Sequence, residues 1–134
     1  MRLHTRTTGD PGYADDLAIA NTFIDVVSRY GLGSALSPLV APDGLDEDDT
    51  YSFWQKDYPG ILAIEDDDET EGDFNPYYHT ARDKVSAFNK PYYTSFVKAS
   101  VGTAAELAGM VQGTPTPTPT PVGPVRTHLP CIRR

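Results

Sequence analysis

Alternating amphipathic helices and short apolar strands predict an α/β fold for this chain of 134 residues. Three observations carry that expectation. Apolar residues recur at helical spacing across residues 13–30, a continuous apolar run Ile61-Leu62-Ala63-Ile64 follows Pro59-Gly60, and a second long helical stripe opens after Asn89 and Pro91.

His4 stands near the end of a predicted amino-terminal strand. In residues 13–30, Leu17, Ala20, Ile24 and Val27 form an apolar stripe that Ile19, Phe23, Val26 and Tyr30 widen, so the segment is predicted to be a helix packed on a sheet. Gly31 and Gly33 end it, because glycine tolerates the left-handed conformation that closes a helix. Residues 38–41 read as a short strand and residues 49–58 as a short helix holding Trp54. Residues 60–65 read as a buried strand, their unbroken apolar run being typical of parallel sheets. The last helix presents Tyr93, Phe96, Val97, Ser100 and Val101, then Ala104, Leu107, Ala108 and Val111, as the stripe expected to cover the sheet.

The organisation changes sharply after Val111. Residues 114–121 are four Thr-Pro repeats. Proline fixes φ and removes the backbone donor, so this run is expected to be an extended spacer that cannot join a core. The reading is therefore a folded segment at 1–112 and a Thr/Pro-rich linker with a disordered tail at 113–134. Such linkers suit exported proteins that carry further modules.

Charge and composition remove several classes of function. A net charge of −8 and a pI near 4.6 leave no basic footprint for nucleic acid and would repel an anionic membrane surface. No apolar run approaches the roughly 18 residues of a membrane span. The opening Met1-Arg2-Leu3-His4-Thr5-Arg6 lacks the apolar core of a signal peptide. Cys131 is the single cysteine, which excludes an intramolecular disulfide and a multi-cysteine zinc site. His128, in the tail, and His4 read as solvated or structural.

Two acidic runs, Asp46-Glu47-Asp48-Asp49 and the one that begins at Glu65 and reaches Asp73, raise calcium as a ligand. Asp67, Glu69, Glu71 and Gly72 mimic the first half of an EF-hand loop. Tyr78, however, falls where that loop requires a bidentate glutamate, so solvated acidic loops are the expected state.

The stretch richest in chemistry is Phe74-Asn75-Pro76-Tyr77-Tyr78-His79-Thr80-Ala81-Arg82-Asp83. A neutral imidazole is the commonest protein ligand for a catalytic metal, and His79 follows a proline-containing loop. Tyr78 sets a phenol beside it. Asp83, four residues on, would lie near the imidazole on a helical turn and accept a hydrogen bond from its second nitrogen.

Four ordered segments extend this reading. Asp49-Thr50-Tyr51-Ser52-Phe53-Trp54-Gln55-Lys56, Tyr58-Pro59-Gly60-Ile61-Leu62-Ala63-Ile64-Glu65, the stretch from Asn75 to Thr80, and Pro91-Tyr92-Tyr93-Thr94-Ser95-Phe96-Val97 onward together resemble the carboxy-terminal part of metallopeptidase family twenty-eight. These are secreted di-zinc aminopeptidases of the bacterial leucyl aminopeptidase type. The resemblance runs from about Leu3 to about Ala108.

The resemblance implies the later strands and two covering helices of a three-layer α/β sandwich with a mixed sheet. It also implies two zinc ions, a peptide substrate and an extracellular or cell-surface location. His79 looks like the last zinc ligand of the family, Tyr78 like the phenol that polarises the scissile carbonyl in some members, and Asp49, Phe53 and Trp54 are expected at the substrate pocket. Where family members carry Ser-Asp-His before the aromatic pair, this sequence has Asp48-Asp49-Thr50. The remaining zinc ligands and the general base of the family have no counterparts here, so the chain is expected to be the back part of such an enzyme, inactive alone. Complementation by a separately encoded amino-terminal half is one expectation. A non-catalytic extracellular binding or spacer module derived from a peptidase is the other.

Overall fold

Residues 1–65 and 75–109 are described by the computed structural model of the chain. Around a central strand β1 (Arg2–His4), β2 (Leu39–Ala41) pairs in parallel and β3 (Leu62–Ile64) pairs antiparallel, giving a mixed sheet of order β2-β1-β3. The remaining elements are helices α1 (Tyr13–Arg29), α2 (Gly33–Leu36), α3 (Asp49–Trp54) and α4 (Lys90–Leu107), with a 3₁₀ turn at Val85–Ala87 before α4. The α/β class expected from sequence is thus present. The third strand departs from expectation, because it runs against β1 and is half-buried.

Register explains where the core lies. Leu3 stands opposite Val40 on one side and Ala63 on the other, and alternation along a strand sends these three side chains to one face. That face meets Ala20, Phe23 and Val27 of α1, Leu36 of α2 and Ala99 of α4. Phe23 and Phe96 meet at a tilt of 51° across α1 and α4, with ring centroids 6.3 Å apart. The opposite face carries Arg2, Leu39 and Ile64 in one row and His4, Ala41 and Leu62 in the next. Leu39 is exposed there, whereas His4 is buried with its Nδ1 2.8 Å from Asp43 Oδ2.

The helix boundaries follow local chemistry. Gly31 closes α1 at φ 65°, with Leu32 N–H donating to Val27 O at 2.9 Å and Gly31 N–H donating to Ser28 O at 3.1 Å. This is the paired-bond arrangement that satisfies the last carbonyls of a helix. Asp48 starts α3 by accepting the Thr50 N–H. Asn89 starts α4 by accepting from Tyr92 N–H at 3.2 Å, and Pro91 occupies the first turn, where a missing N–H costs nothing.

One expectation fails on α4. The stripe through Tyr93, Val97, Val101, Ala104 and Leu107 faces outward, and the helix turns Tyr92, Phe96, Ala99 and Thr103 toward the core. The reason is the width of the gap to α1. A Cβ added at Gly102 would lie 2.7 Å from Val26 Cγ1, so α4 reaches α1 through its small residues. Tyr30, expected on the buried stripe of α1, is likewise exposed. Val111, His128, Cys131, the Thr/Pro repeats and the acidic residues 66–73 lie outside the described residues.

Candidate functional site

A hollow of about 540 Å³ opens between the end of β3, the turn at residues 75–78 and the start of α4. Asn75 builds its wall. Pro76 supplies the fixed φ favoured at the second position of a β-turn, and Tyr78 N–H donates to Asn75 O at 3.0 Å. The Asn75 side-chain oxygen accepts from Tyr77 N–H at 2.9 Å, a local turn that asparagine forms readily. Two further turns continue the chain, with Thr80 N–H donating to Tyr77 O at 2.9 Å and Asp83 N–H to Thr80 O at 3.1 Å. Residues 76–82 are therefore turns, and no helix links His79 to Asp83.

That difference decides what Asp83 does. Its Oδ1 accepts from Asn75 Nδ2 at 2.9 Å, so the carboxylate is fixed by the asparagine amide and makes no hydrogen bond to His79. The Asn75 N–H donates to Glu65 Oε2 at 3.1 Å. One residue thus orients two carboxylates, both on the wall of the hollow.

His79 sits at φ 58°, a left-handed backbone conformation that side chains beyond glycine adopt at a cost. It is exposed and lies flat on Tyr78, ring centroids 3.9 Å apart and planes 20° apart. Tyr78 lines the hollow and His79 stands just outside it. Aromatic side chains make up most of the remaining wall: Tyr77, Phe88, Tyr92, Tyr93 and Phe96.

The other predicted site residues are elsewhere. Asp49 and Phe53 are exposed on α3, and Trp54 is buried with its Nε1–H donating to Gly60 O at 3.1 Å. None of the three borders the hollow. Trp54 here anchors α3 to the start of β3.

A catalytic zinc ion needs about three protein ligands and an open position. Among the described residues no group of three His, Cys, Asp or Glu side chains gathers as a metal would require. His79 offers one imidazole, and the carboxylate expected behind it is engaged by Asn75. The described residues do not by themselves form a zinc site.

Sequence reasoning missed the buried ion pair of Arg6 and Asp16. Asp16, wholly buried in the first turn of α1, accepts from Arg6 Nε at 2.8 Å, Arg6 Nη2 at 2.9 Å, Arg6 N at 3.2 Å and Gly60 N at 3.0 Å. Burial alone would raise its pKa, but these hydrogen bonds and the charge of Arg6 outweigh burial and hold it below the ordinary carboxylate value. The hydrogen bond to Asp16 raises the pKa of Arg6, against its own burial. A signal was present in the chain: Asp16 falls in helical phase with Ala20, Phe23 and Val27, a charge on the apolar stripe. Among the described residues no helix is long and apolar enough to cross a membrane. Comparison with protein-family models, curated proteins and solved structures finds no match.

Proposed function

We propose that this chain is the carboxy-terminal segment of a zinc-dependent aminopeptidase, an enzyme that hydrolyses amino-terminal peptide bonds, and that the segment is inactive alone. The observation that carries the reading is the Tyr78 and His79 pair. An exposed imidazole is held in a left-handed backbone conformation and stacked on a phenol at the rim of a hollow. Backbone strain of this kind concentrates at functional sites. His79 would supply one zinc ligand, and Tyr78 would donate a hydrogen bond to the substrate carbonyl. The other ligands of a two-zinc site would come from additional polypeptide, in the same chain or separately encoded.

Two apolar surfaces support the need for such additional structure. The sheet face away from the core carries Leu39, Leu62 and Ile64 beside Arg2 and His4, and Leu39 is exposed there. The outward stripe of α4 leaves Tyr93, Val97, Val101 and Leu107 exposed. Helices laid on that sheet face would complete a three-layer α/β sandwich, and further polypeptide would cover the α4 stripe. The Thr/Pro repeats and the acidic charge suit an extracellular or cell-surface enzyme acting on peptides.

A second reading, a non-catalytic extracellular binding module, is favoured by the pairing of Asp83 with Asn75, which commits that carboxylate to the wall of the hollow and not to His79. Zinc titration separates the two. The purified chain should bind zinc weakly and hydrolyse no aminoacyl anilide. Combined with a polypeptide supplying a His-x-Asp segment and a Glu-Glu pair, it should bind zinc tightly and turn over, and His79→Ala should lower metal content and rate together. Normal occupancy and rate in His79→Ala would overturn the peptidase reading.

A further inference from the structure

We propose that the hollow at residues 75–96 binds a small organic cation, a quaternary ammonium or an amine carrying apolar groups. The inference uses neither zinc nor any added polypeptide, so it stands or falls apart from the peptidase reading. Tyr77, Phe88, Tyr93 and Phe96 bring aromatic rings to the wall from the turn, the segment before α4 and α4 itself, and Phe88 and Tyr93 meet at 46° with centroids 5.6 Å apart. Aromatic faces carry negative electrostatic potential and attract cations that shed water easily. Glu65 and Asp83 add two carboxylates to the same wall, each oriented by a hydrogen bond from Asn75.

Alternative ligand classes fit less well. An anion would meet no Lys or Arg among the described residues of the wall and a chain of net charge −8. A neutral apolar ligand would take the carboxylates out of water without supplying a positive charge, which is costly. A bare metal ion would have no use for the rings, and no cluster of three metal-ligating side chains occurs among the described residues. The volume, about 540 Å³, is in the range of small-molecule sites. An organic cation uses both the rings and the carboxylates.

Choline and its uncharged isostere 3,3-dimethyl-1-butanol provide the test, because they share shape and differ in charge. In calorimetry and NMR titrations of the full chain, choline should bind about ten-fold tighter than the isostere, as expected of a cation held by rings. Its shift changes should centre on Phe88 and Tyr93. Glu65→Gln and Phe88→Leu should each weaken choline while leaving the isostere unchanged or less affected. Sedimentation with phosphatidylcholine vesicles distinguishes the source of the cation: choline-competed co-sedimentation marks a lipid headgroup, and its absence a free ligand. Equal affinity for choline and isostere, no binding of either, shifts confined to other parts of the chain, or unchanged choline affinity in both variants would each overturn the proposal. The comparison on the unaltered chain decides the question even if a variant misfolds.

Discussion

Arg6 holds Asp16 through two parallel hydrogen bonds, Nε to Oδ2 at 2.8 Å and Nη2 to Oδ1 at 2.9 Å, with both residues buried. Because Asp16 also accepts the Gly60 N–H, this one carboxylate ties the loop after β1, the first turn of α1 and the approach to β3. Gly12 leaves room for it, since a Cβ there would lie 2.0 Å from the Arg6 guanidinium carbon.

Removing one partner leaves the other charge buried and unpaired. Arg6→Ala should therefore destabilise the fold by about 3–5 kcal/mol, a large share of the stability of a small domain. Replacing both residues together, as in Arg6→Met with Asp16→Asn, leaves no unpaired charge and keeps a side-chain oxygen for the Gly60 N–H, so it should cost less than the single change. Urea denaturation of the single and double variants checks this. Equal losses in both would show that the ion pair is not what joins these elements.

The same carboxylate sets a dependence on acid. Asp16 has a folded pKa below its unfolded value, so its contribution is fully present above about pH 4 and fades as pH falls through the folded value. The urea midpoint should drop below about pH 4, and Asp16→Asn, already destabilised, should show a shallower drop. Parallel acid limbs in the two proteins would mean that other carboxylates govern the loss.

The contact between α1 and α4 makes a prediction against helix propensity. Gly102→Ala would ordinarily favour a helix by about 1 kcal/mol. Here the new methyl would lie 2.7 Å from Val26 Cγ1 and 3.6 Å from Tyr30 Cε2. Overpacking of about 1–3 kcal/mol should win, giving a net loss. A double-mutant cycle with Val26→Ala should show favourable coupling, since alanine vacates the space. A more stable Gly102→Ala would show that the helices are farther apart.

What the sequence disclosed depended on whether the signal was local. The stop at Gly31, the cap at Asn89 and the α/β alternation are local, and the structure contains each. The inward face of α4 was not legible, because its small residues Ala99, Gly102 and Thr103 carry little hydrophobic weight beside Val97 and Val101, and only the partner helix reveals that closeness selects them. The antiparallel pairing of β3 escaped for a related reason: an apolar run reports burial and says nothing of strand direction. At the candidate site, the spacing of His79 and Asp83 suggested a helical turn, but Asn75 and Pro76 set a chain of turns that gives Asp83 to Asn75.

Asn75 can be tested directly. Asn75→Ala removes the acceptor for Tyr77 N–H and the donor to Asp83, while the main-chain bond to Glu65 remains possible for alanine. With hydrogen bonds worth about 1 kcal/mol each, the turn should lose about 1–2 kcal/mol. Faster hydrogen exchange at the Tyr78 and Thr80 amides, with the global unfolding midpoint little changed, is the expected outcome. Unchanged exchange would remove Asn75 as the organiser of this wall.

His79 permits the sharpest separation of backbone from side chain. At φ 58° a residue with a Cβ pays about 1–2 kcal/mol that glycine does not, and a β-branched residue fits worst. The Thr80 N–H, which donates to Tyr77 O across this position at 2.9 Å, reports the integrity of the turn. Its exchange should be as slow or slower in His79→Gly and faster by roughly ten-fold in His79→Val, because about 1.4 kcal/mol corresponds to a factor of ten. If glycine keeps the turn while the imidazole is lost, the histidine is not required by the fold, and any loss of zinc or turnover in that variant, once the complementary polypeptide is supplied, belongs to the side chain alone. Faster exchange in the glycine variant than in the parent would instead show that the stacking of His79 on Tyr78 holds the turn together, and a structural role would account for the histidine.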